Sequence, residues 1–426
     1  MTDHARPLSA EEKPAFAWMD APRLSAIIAP LEAAYPGSVR FVGGCVRDSL
    51  LAAWAKTSIG TAREPVPLST DIDVATPLVP EKVMALLRAA GVKTIPTGID
   101  HGTVTAVSGE SVVEITTLRR DVTTDGRRAT IAYTDDWRED AARRDFTINA
   151  LYLTPTGQLH DYEGGLQDLR DGKVAFIGDA KTRIAEDYLR ILRFIRFSAR
   201  FATDFDAAGL AAVTTSVEGL KTLSAERIAA ELMKILAHPR ALLAAETMAD
   251  AGILSAIWST PARLDLARRL DTALQAINAH AFLVALYPDD FGALAQRLRL
   301  SNRAQDHMAA SFAAANALAG SPSPADERRA RQVIYQYGAG VWPDALCLYA
   351  AFGEHSDEQI APVRDMASRW TPPVFPVKGG TLIARGLSPG PAVSRALNQI
   401  ESRWIAEDFP DGPRLEALVA EALGEV

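Results

Sequence analysis

The feature that most constrains the fold is a change of texture near Gly165. From Val39 to about Tyr162 the apolar residues come in short runs separated by turn formers: VRFVGG, DIDVAT, GTVTAV, VVEITTL and INALYL. Runs this short, rich in Val, Ile and Thr, predict strands. Among them PEKVMALLRAAG, residues 80–91, opens with Pro and closes with Gly, which predicts a helix. Beyond about residue 166, Ala, Leu, Arg and Glu recur at helical spacing, notably over 182–202, 224–238 and most of 240–426. The pattern predicts an α/β part with a mixed sheet and helices, followed by an all-α part. The divisions read as a polar arm at 1–23, a mixed region at 24–165, and helical regions at 166–255 and 256–426. Ser321-Pro-Ser-Pro and TPPVFPVKGG (371–380) read as joints.

Composition excludes several classes. With 45 Lys and Arg against 53 Asp and Glu, the net charge is −8, so only local clusters can mark a nucleic-acid partner. Two cysteines, Cys45 and Cys347, exclude a disulfide framework and a four-cysteine zinc site, and suit a reducing cytoplasm. The N-terminal MTDHARPLSAEEKP has no apolar stretch of the signal-peptide kind, and no segment reads as a membrane span.

Two local features point to chemistry. Asp71-Ile72-Asp73 places two carboxylates at i and i+2, which share one face if the segment is a strand, with Ile72 turned to the core. Adjacent like charges repel, and a hard divalent cation such as Mg²⁺, taking one or two carboxylates plus substrate phosphates, removes the repulsion. The bland alternative is an exposed loop pair. Upstream, VRFVGGCVRD (39–48) runs from an apolar stretch through Gly43-Gly44 into Val46-Arg47-Asp48. Glycines after a strand let backbone approach a ligand closely, and a helix start offers N–H groups to phosphate. Arg47 adds a forked cationic donor. The pattern is neither G-x-G-x-x-G nor a P-loop. Together, a phosphate cradle and metal carboxylates imply displacement at a phosphorus atom.

A third feature is an arginine-rich stretch. Residues 143–150 read RRDFTINA and residues 186–200 read EDYLRILRFIRFSAR. At about 100° per residue, Arg190, Arg193, Arg196 and Arg200 form one stripe, opposite Ile191, Leu192, Ile195 and Ala199. On the same wheel Asp187 stands one turn before Arg190. Four arginines without interleaved acids predict mutual repulsion unless an anion sits among them. Cytosine and adenine each present an amino donor beside a ring-nitrogen acceptor. A carboxylate at Asp187 and a guanidinium at Arg190 match that edge and leave uracil and guanine unpaired.

With these motifs in hand, the chain resembles the class II tRNA nucleotidyltransferase and bacterial poly(A) polymerase family. The resemblance runs in order through GGCVRD (43–48), DIDVAT (71–76), TGIDHGTVTAV (97–107), VVEITTLR (112–119), RRDFTINAL (143–151), DYEGGLQDL (161–169), EDYLRILRFIRF (186–197) and ERIAAELMKIL (226–236), and more weakly through VKGGTLIARGLSPGP (377–391). It implies a catalytic nucleotidyltransferase head over 24–165, a neck over 166–255 that binds the base and RNA, and a helical body and tail over 256–426 that hold tRNA. The implied activity is addition of C, C and A to the tRNA 3′ end from CTP and ATP, without a template. By position, Asp71 and Asp73 would bind Mg²⁺ and carry catalysis. Gly44, Arg47 and Arg144 would contact the nucleotide, Asp187 and Arg190 would read its base, and Arg193 and Arg196 would complete the pocket. Glu114 is a candidate third carboxylate.

The resemblance also sorts the alternatives. TGIDHGTVTAV stands where poly(A) polymerases carry a basic, Phe-containing signature, so it favours CCA addition over poly(A) or A-only addition. DVTTDGRRATIAYTDDW (121–137) fills the place of the loop that CC-adding enzymes lack. A non-catalytic tRNA-binding protein is disfavoured by the intact Asp71, Asp73, Arg144, Asp187 and Arg190. His160-Asp161 is the single His-Asp pair, so no HD phosphohydrolase domain is expected in the C-terminal half. Residues 52–70 read as an insertion, taken as a surface loop, and Thr381 stands where relatives tend to have Asp.

Overall fold

The computed structural model describes residues 5–55, 72–125, 128–273 and 278–424. The chain divides into two compact units, residues 1–235 with 247–257, and residues 236–246 with 258–426.

The first unit is built on an eight-stranded sheet. Its members are β1 (Arg6–Pro7), β2 (Arg40–Val42), β3 (Ile72–Thr76), β4 (Lys93–Gly98), β5 (Thr103–Ser108) and β6 (Ser111–Thr117), together with two later strands. After β6 come β7 (Arg119–Asp125) and β8 (Arg128–Tyr133), which form their own antiparallel hairpin. Then β9 (Leu151–Leu153) and β10 (Gln158–Asp161) rejoin the main sheet. The spatial order is β1-β10-β9-β2-β3-β6-β5-β4. The β3–β6 pair is parallel and the other pairs are antiparallel, so the predicted mixed sheet is present. The Val, Ile and Thr runs alternate in burial as half-covered strands do. Val113 and Ile115 of β6 face the core, while Val112 and Glu114 are exposed.

Helices flank the sheet. Here α1 (Pro22–Ala34) and α3 (Pro80–Ala89) pack together over β5, whereas α2 (Gly44–Ala55) leads directly out of β2. The α3 helix matches the sequence expectation, with Pro80 in its first turn. α2 runs on through Ala55, so residues 52–55 belong to a helix and not to the expected insertion; the rest of that segment, with Asp71, lies outside the described residues. Ile72 is only half-buried, because it opens β3 at the sheet margin.

The polar arm is part of this unit. Arg6–Pro7 extends the sheet beside β10. Glu12, 3% exposed, accepts bonds from both Arg6 Nη atoms at 2.7 Å, from the Ser9 amide at 3.0 Å and from the Trp54 indole at 3.2 Å.

Helices α4 (Trp137–Ala142), α5 (Gly165–Asp171), α6 (Ala180–Glu186), α7 (Leu189–Phe201), α8 (Ala207–Ser216) and α9 (Ala225–Leu236) follow. The stretch expected as one helix over 182–202 is interrupted at Asp187-Tyr188, where Asp187 has an extended backbone (φ −154°). Residues 173–178 are not helical, and Phe176 forms a bridge to Phe146. That bridge centres an aromatic cluster. Phe146 lies 4.9 Å from Phe176 and 5.4 Å from Phe197, and Phe176 stacks on Phe194 at 5.3 Å. The RRDF segment is thereby fixed to α7 by ring packing.

The second unit is helical throughout its described length, as expected, up to the helix Gly412–Leu423. Both predicted joints fall between helices, at 321–324 and 371–378. Beyond the latter, Leu382, Ile400, Trp404 and Leu418 form a separate core with Phe375 against it.

Candidate active site

The glycine turn is where the elements converge. Gly43 has φ +72°, a conformation open to glycine at little cost, and its carbonyl accepts from the Arg47 amide at 3.0 Å to start α2. A Cβ placed on Gly43 would stand 3.9 Å from each of Asp73 Oδ2, Arg144 Nη1 and the Asn149 carbonyl. The structure therefore brings the glycine turn, one of the paired carboxylates and the RRD arginine to one spot, from segments far apart in sequence.

Asp73 also pairs in register with Glu114 across the parallel β3–β6 ladder. Residues so paired share a sheet face, so the two carboxylates are neighbours. Among the described residues no three Asp, Glu, His or Cys groups are close enough to hold a metal ion. Asp71, the other half of the expected pair, lies outside them. The donors present, carboxylate oxygens beside a turn of backbone, suit a hard cation that keeps places for phosphate and water.

Arg144, with its side chain 20% exposed, is held on one side. Its Nε donates to the Tyr152 hydroxyl at 3.0 Å and its Nη2 to Asp140 Oδ2 at 3.1 Å. Asp140 also takes Arg143 at 2.9 Å and the Tyr152 hydroxyl at 2.8 Å. Burial works to raise the Asp140 carboxyl, but Arg144 and Arg143 outweigh it with help from Tyr152 and hold it at about 2.

Arg47 is placed differently from an open cation. Its side chain is 6% exposed, bonded to Asp48 at 2.7–2.8 Å and to Asn149 Oδ1 at 2.5 Å, and it stacks 4.0 Å from the Phe201 ring. It ties α2 to α7.

The arginine stripe of α7 is present, with Ile191, Leu192, Ile195 and Ala199 fully buried behind it. The expectation of unrelieved repulsion is corrected, because each arginine meets a carboxylate from another segment or turn. Arg190 pairs with Glu186, Arg193 with Asp145 at 2.5 Å, Arg196 with Glu231 at 2.6 Å and Arg200 with Asp48 at 3.4 Å. The wheel also misplaced Asp187. It precedes α7 in the joint after α6, where its carboxylate accepts from the Leu189 amide at 3.1 Å and from Arg227 at 2.8 Å. Asp187 and Arg190 are therefore near in sequence and partly open, each with its own partner.

Sequence reading missed Asp140, Tyr152 and Asn149. An acid four residues before Arg144, on a short helix, was a usable signal. Nothing in the sequence linked Tyr152 or Asn149 to either arginine.

Residues 39–175 match the family described as "Poly A polymerase head domain", and residues 204–260 match "Probable RNA and SrmB- binding site of polymerase A". The human protein named CCA tRNA nucleotidyltransferase 1, mitochondrial, is 33% identical over 377 residues, covering 86% of this chain and 82% of its own. A CCA-adding enzyme of Limosilactobacillus fermentum is 28% identical over 389 residues, 87% of this chain and 90% of its own. Among solved structures, the Bacillus stearothermophilus CCA-adding enzyme in complex with CTP superposes with a TM-score of 0.72 at 24% identity, covering 95% and 98% of the two chains. At that identity the likeness speaks to fold alone. The fold, the ordered motifs and the near full-length human relative establish that this chain belongs to the tRNA nucleotidyltransferase and poly(A) polymerase family.

Proposed function

We infer that the protein adds C, C and A in turn to the 3′ end of tRNA, drawing on CTP and ATP. The observation that carries this is the meeting of the Gly43 turn, Asp73 and Arg144 at one place, in a chain so close to the human CCA tRNA nucleotidyltransferase. In each step the tRNA 3′-hydroxyl oxygen bonds to the α-phosphorus, the bond to the bridging oxygen breaks, pyrophosphate leaves, and the hydroxyl proton goes to solvent. Asp71, Asp73 and Glu114 are the residues that would hold Mg²⁺, which when bound supplies charge stabilisation at the phosphates.

The chain's own groups do the rest. Gly43 and Gly44 let the phosphates approach backbone, and Arg144 supplies a cation there. Arg47 holds the start of α2 in place through Asp48 and Asn149. Asp187 accepts from the base amino group. A carboxylate takes roughly four bonds, and Leu189 and Arg227 use two. Arg190 donates to the ring nitrogen, while Arg193 and Arg196 keep the pocket walls in register through Asp145 and Glu231. Residues 24–165 serve as catalytic head and 166–255 as neck; 256–426 are the body and tail that hold tRNA. The β7–β8 hairpin lies in the stretch expected to favour completion with A. No helix of the described residues is long and apolar enough to cross a membrane. We take the working compartment to be the cytoplasm, whose reducing conditions suit a chain with two cysteines.

The direct test is incorporation with Mg²⁺ on tRNA ending at the discriminator base, tRNA ending in CC, and a generic RNA. Ordered addition of C, C and A that then stops, on tRNA only, is expected. Asp73→Ala should remove it while leaving the circular dichroism spectrum unchanged. Long A tracts on generic RNA would move the protein to the poly(A) polymerase reading, and addition of A alone to the CC-ending tRNA would make it an A-adder.

A further inference from the structure

Arg144 reaches the glycine turn as a fork gripped along one edge. Nε donates to the Tyr152 hydroxyl, that hydroxyl donates to Asp140 Oδ2, and the same oxygen accepts from Arg144 Nη2, at 3.0, 2.8 and 3.1 Å. The three groups close a ring of hydrogen bonds. Asp140 is 1% exposed and Tyr152 not at all, so the ring is shielded from water. Trp137 packs edge-on against the Tyr152 ring at 5.7 Å and limits its movement.

The other end of the fork is differently placed. Arg144 Nη1 is the atom nearest the turn, 3.9 Å from a Cβ position on Gly43 that is itself 3.9 Å from Asp73 Oδ2. Its acceptor among the described residues, the Asn149 carbonyl, is at 3.5 Å, the outer limit of a hydrogen bond. One edge of the guanidinium is thus tightly bound and the tip at the Gly43 turn is loosely bound. An arginine carries considerable rotamer freedom, and holding it beforehand spares a ligand that cost.

We propose that Asp140 and Tyr152 are positioning residues that fix the roll of the Arg144 guanidinium, so that Nη1 meets the triphosphate of the incoming nucleotide whichever base it carries. This rests on the reading that the phosphates lie at the Gly43 turn. A lone structural role, knitting α4 to β9, predicts a different pattern of effects.

The experiment measures equilibrium affinity for CTP, ATP and CMP, with KM and kcat, in Tyr152→Phe, Arg144→Ala and the double variant; thermal melting follows folding. Tyr152→Phe keeps the ring and removes two bonds, one from Arg144 and one to Asp140, so CTP and ATP should both weaken by about ten-fold. The loss should appear in KM more than in kcat, and CMP should bind as before. In the Arg144→Ala background the same change should add nothing. Asp140→Asn, which keeps the shape of the side chain, is the second variant and should repeat the pattern if Tyr152→Phe folds poorly. A Tyr152→Phe loss that persists without Arg144, or that falls on one base alone, overturns the proposal. So does unchanged affinity in Tyr152→Phe when Arg144→Ala has lost it. If Arg144→Ala itself binds CTP and ATP normally, the placement of the phosphates falls, and the proposal with it.

Discussion

Asp187 holds two bonds of its own before any nucleotide arrives, one to the Leu189 amide and one to Arg227. Its role as base reader therefore has a defined expectation. Asp187→Ala should blur discrimination of CTP and ATP against UTP and GTP by about ten- to a hundred-fold, since a buried donor on the right base loses its acceptor. Competition assays with all four nucleotides check this, and full discrimination retained would sink it. What could be read at this scale depended on whether a residue acts with its neighbours in sequence. Gly43, Asp73 and the stripe of Arg190, Arg193 and Arg196 were legible from spacing alone. Asp145, Glu231 and Asp48, the partners of Arg193, Arg196 and Arg200, were not, because those carboxylates arrive from other segments once the chain has folded. The helical wheel failed at Asp187 for a local reason: it assumes helix where the chain is extended.

At the scale of elements, the N-terminal segment shows how a polar stretch becomes part of a sheet. Burial pushes the Glu12 carboxyl up, but Arg6, the Ser9 amide and the Trp54 indole outweigh it and hold it at about 2. A carboxyl depressed on folding lends stability above its unfolded value, near 4.5, and loses it as pH falls towards 2. Glu12→Gln should cost on the order of 1–2 kcal/mol at neutral pH, discounted because Arg6 is partly open to solvent. It should also flatten the decline between pH 4.5 and 2. Urea unfolding across that range decides it, and parallel curves for both proteins would contradict it. The strands, α3 and both joints were plain in the sequence because each is set by local pattern. The joining of Arg6–Pro7 to β10 was not, since pairing at a sheet edge leaves no periodic signal in two residues.

For the whole molecule, the two units have separate cores, and every described candidate residue belongs to the first. Nucleotide at a hundred times its dissociation constant should add about 2.7 kcal/mol to the state that binds it. Hydrogen exchange should slow in β2, α2 and α7 and stay unchanged in the helices around Ile400, Trp404 and Leu418. Equal slowing in both would argue against a site confined to the first unit. The acidic balance of the chain was plain from composition; the one-by-one matching of the α7 arginines to carboxylates was not. That pairing has a consequence for life in a crowded cell, where free phosphate, nucleotides and nucleic acids are abundant. A bare column of four cations is a trap for any passing polyanion. Cations already matched to acids make a quiet surface, on which a visitor is retained for its shape and its hydrogen-bonding edge and not for its charge.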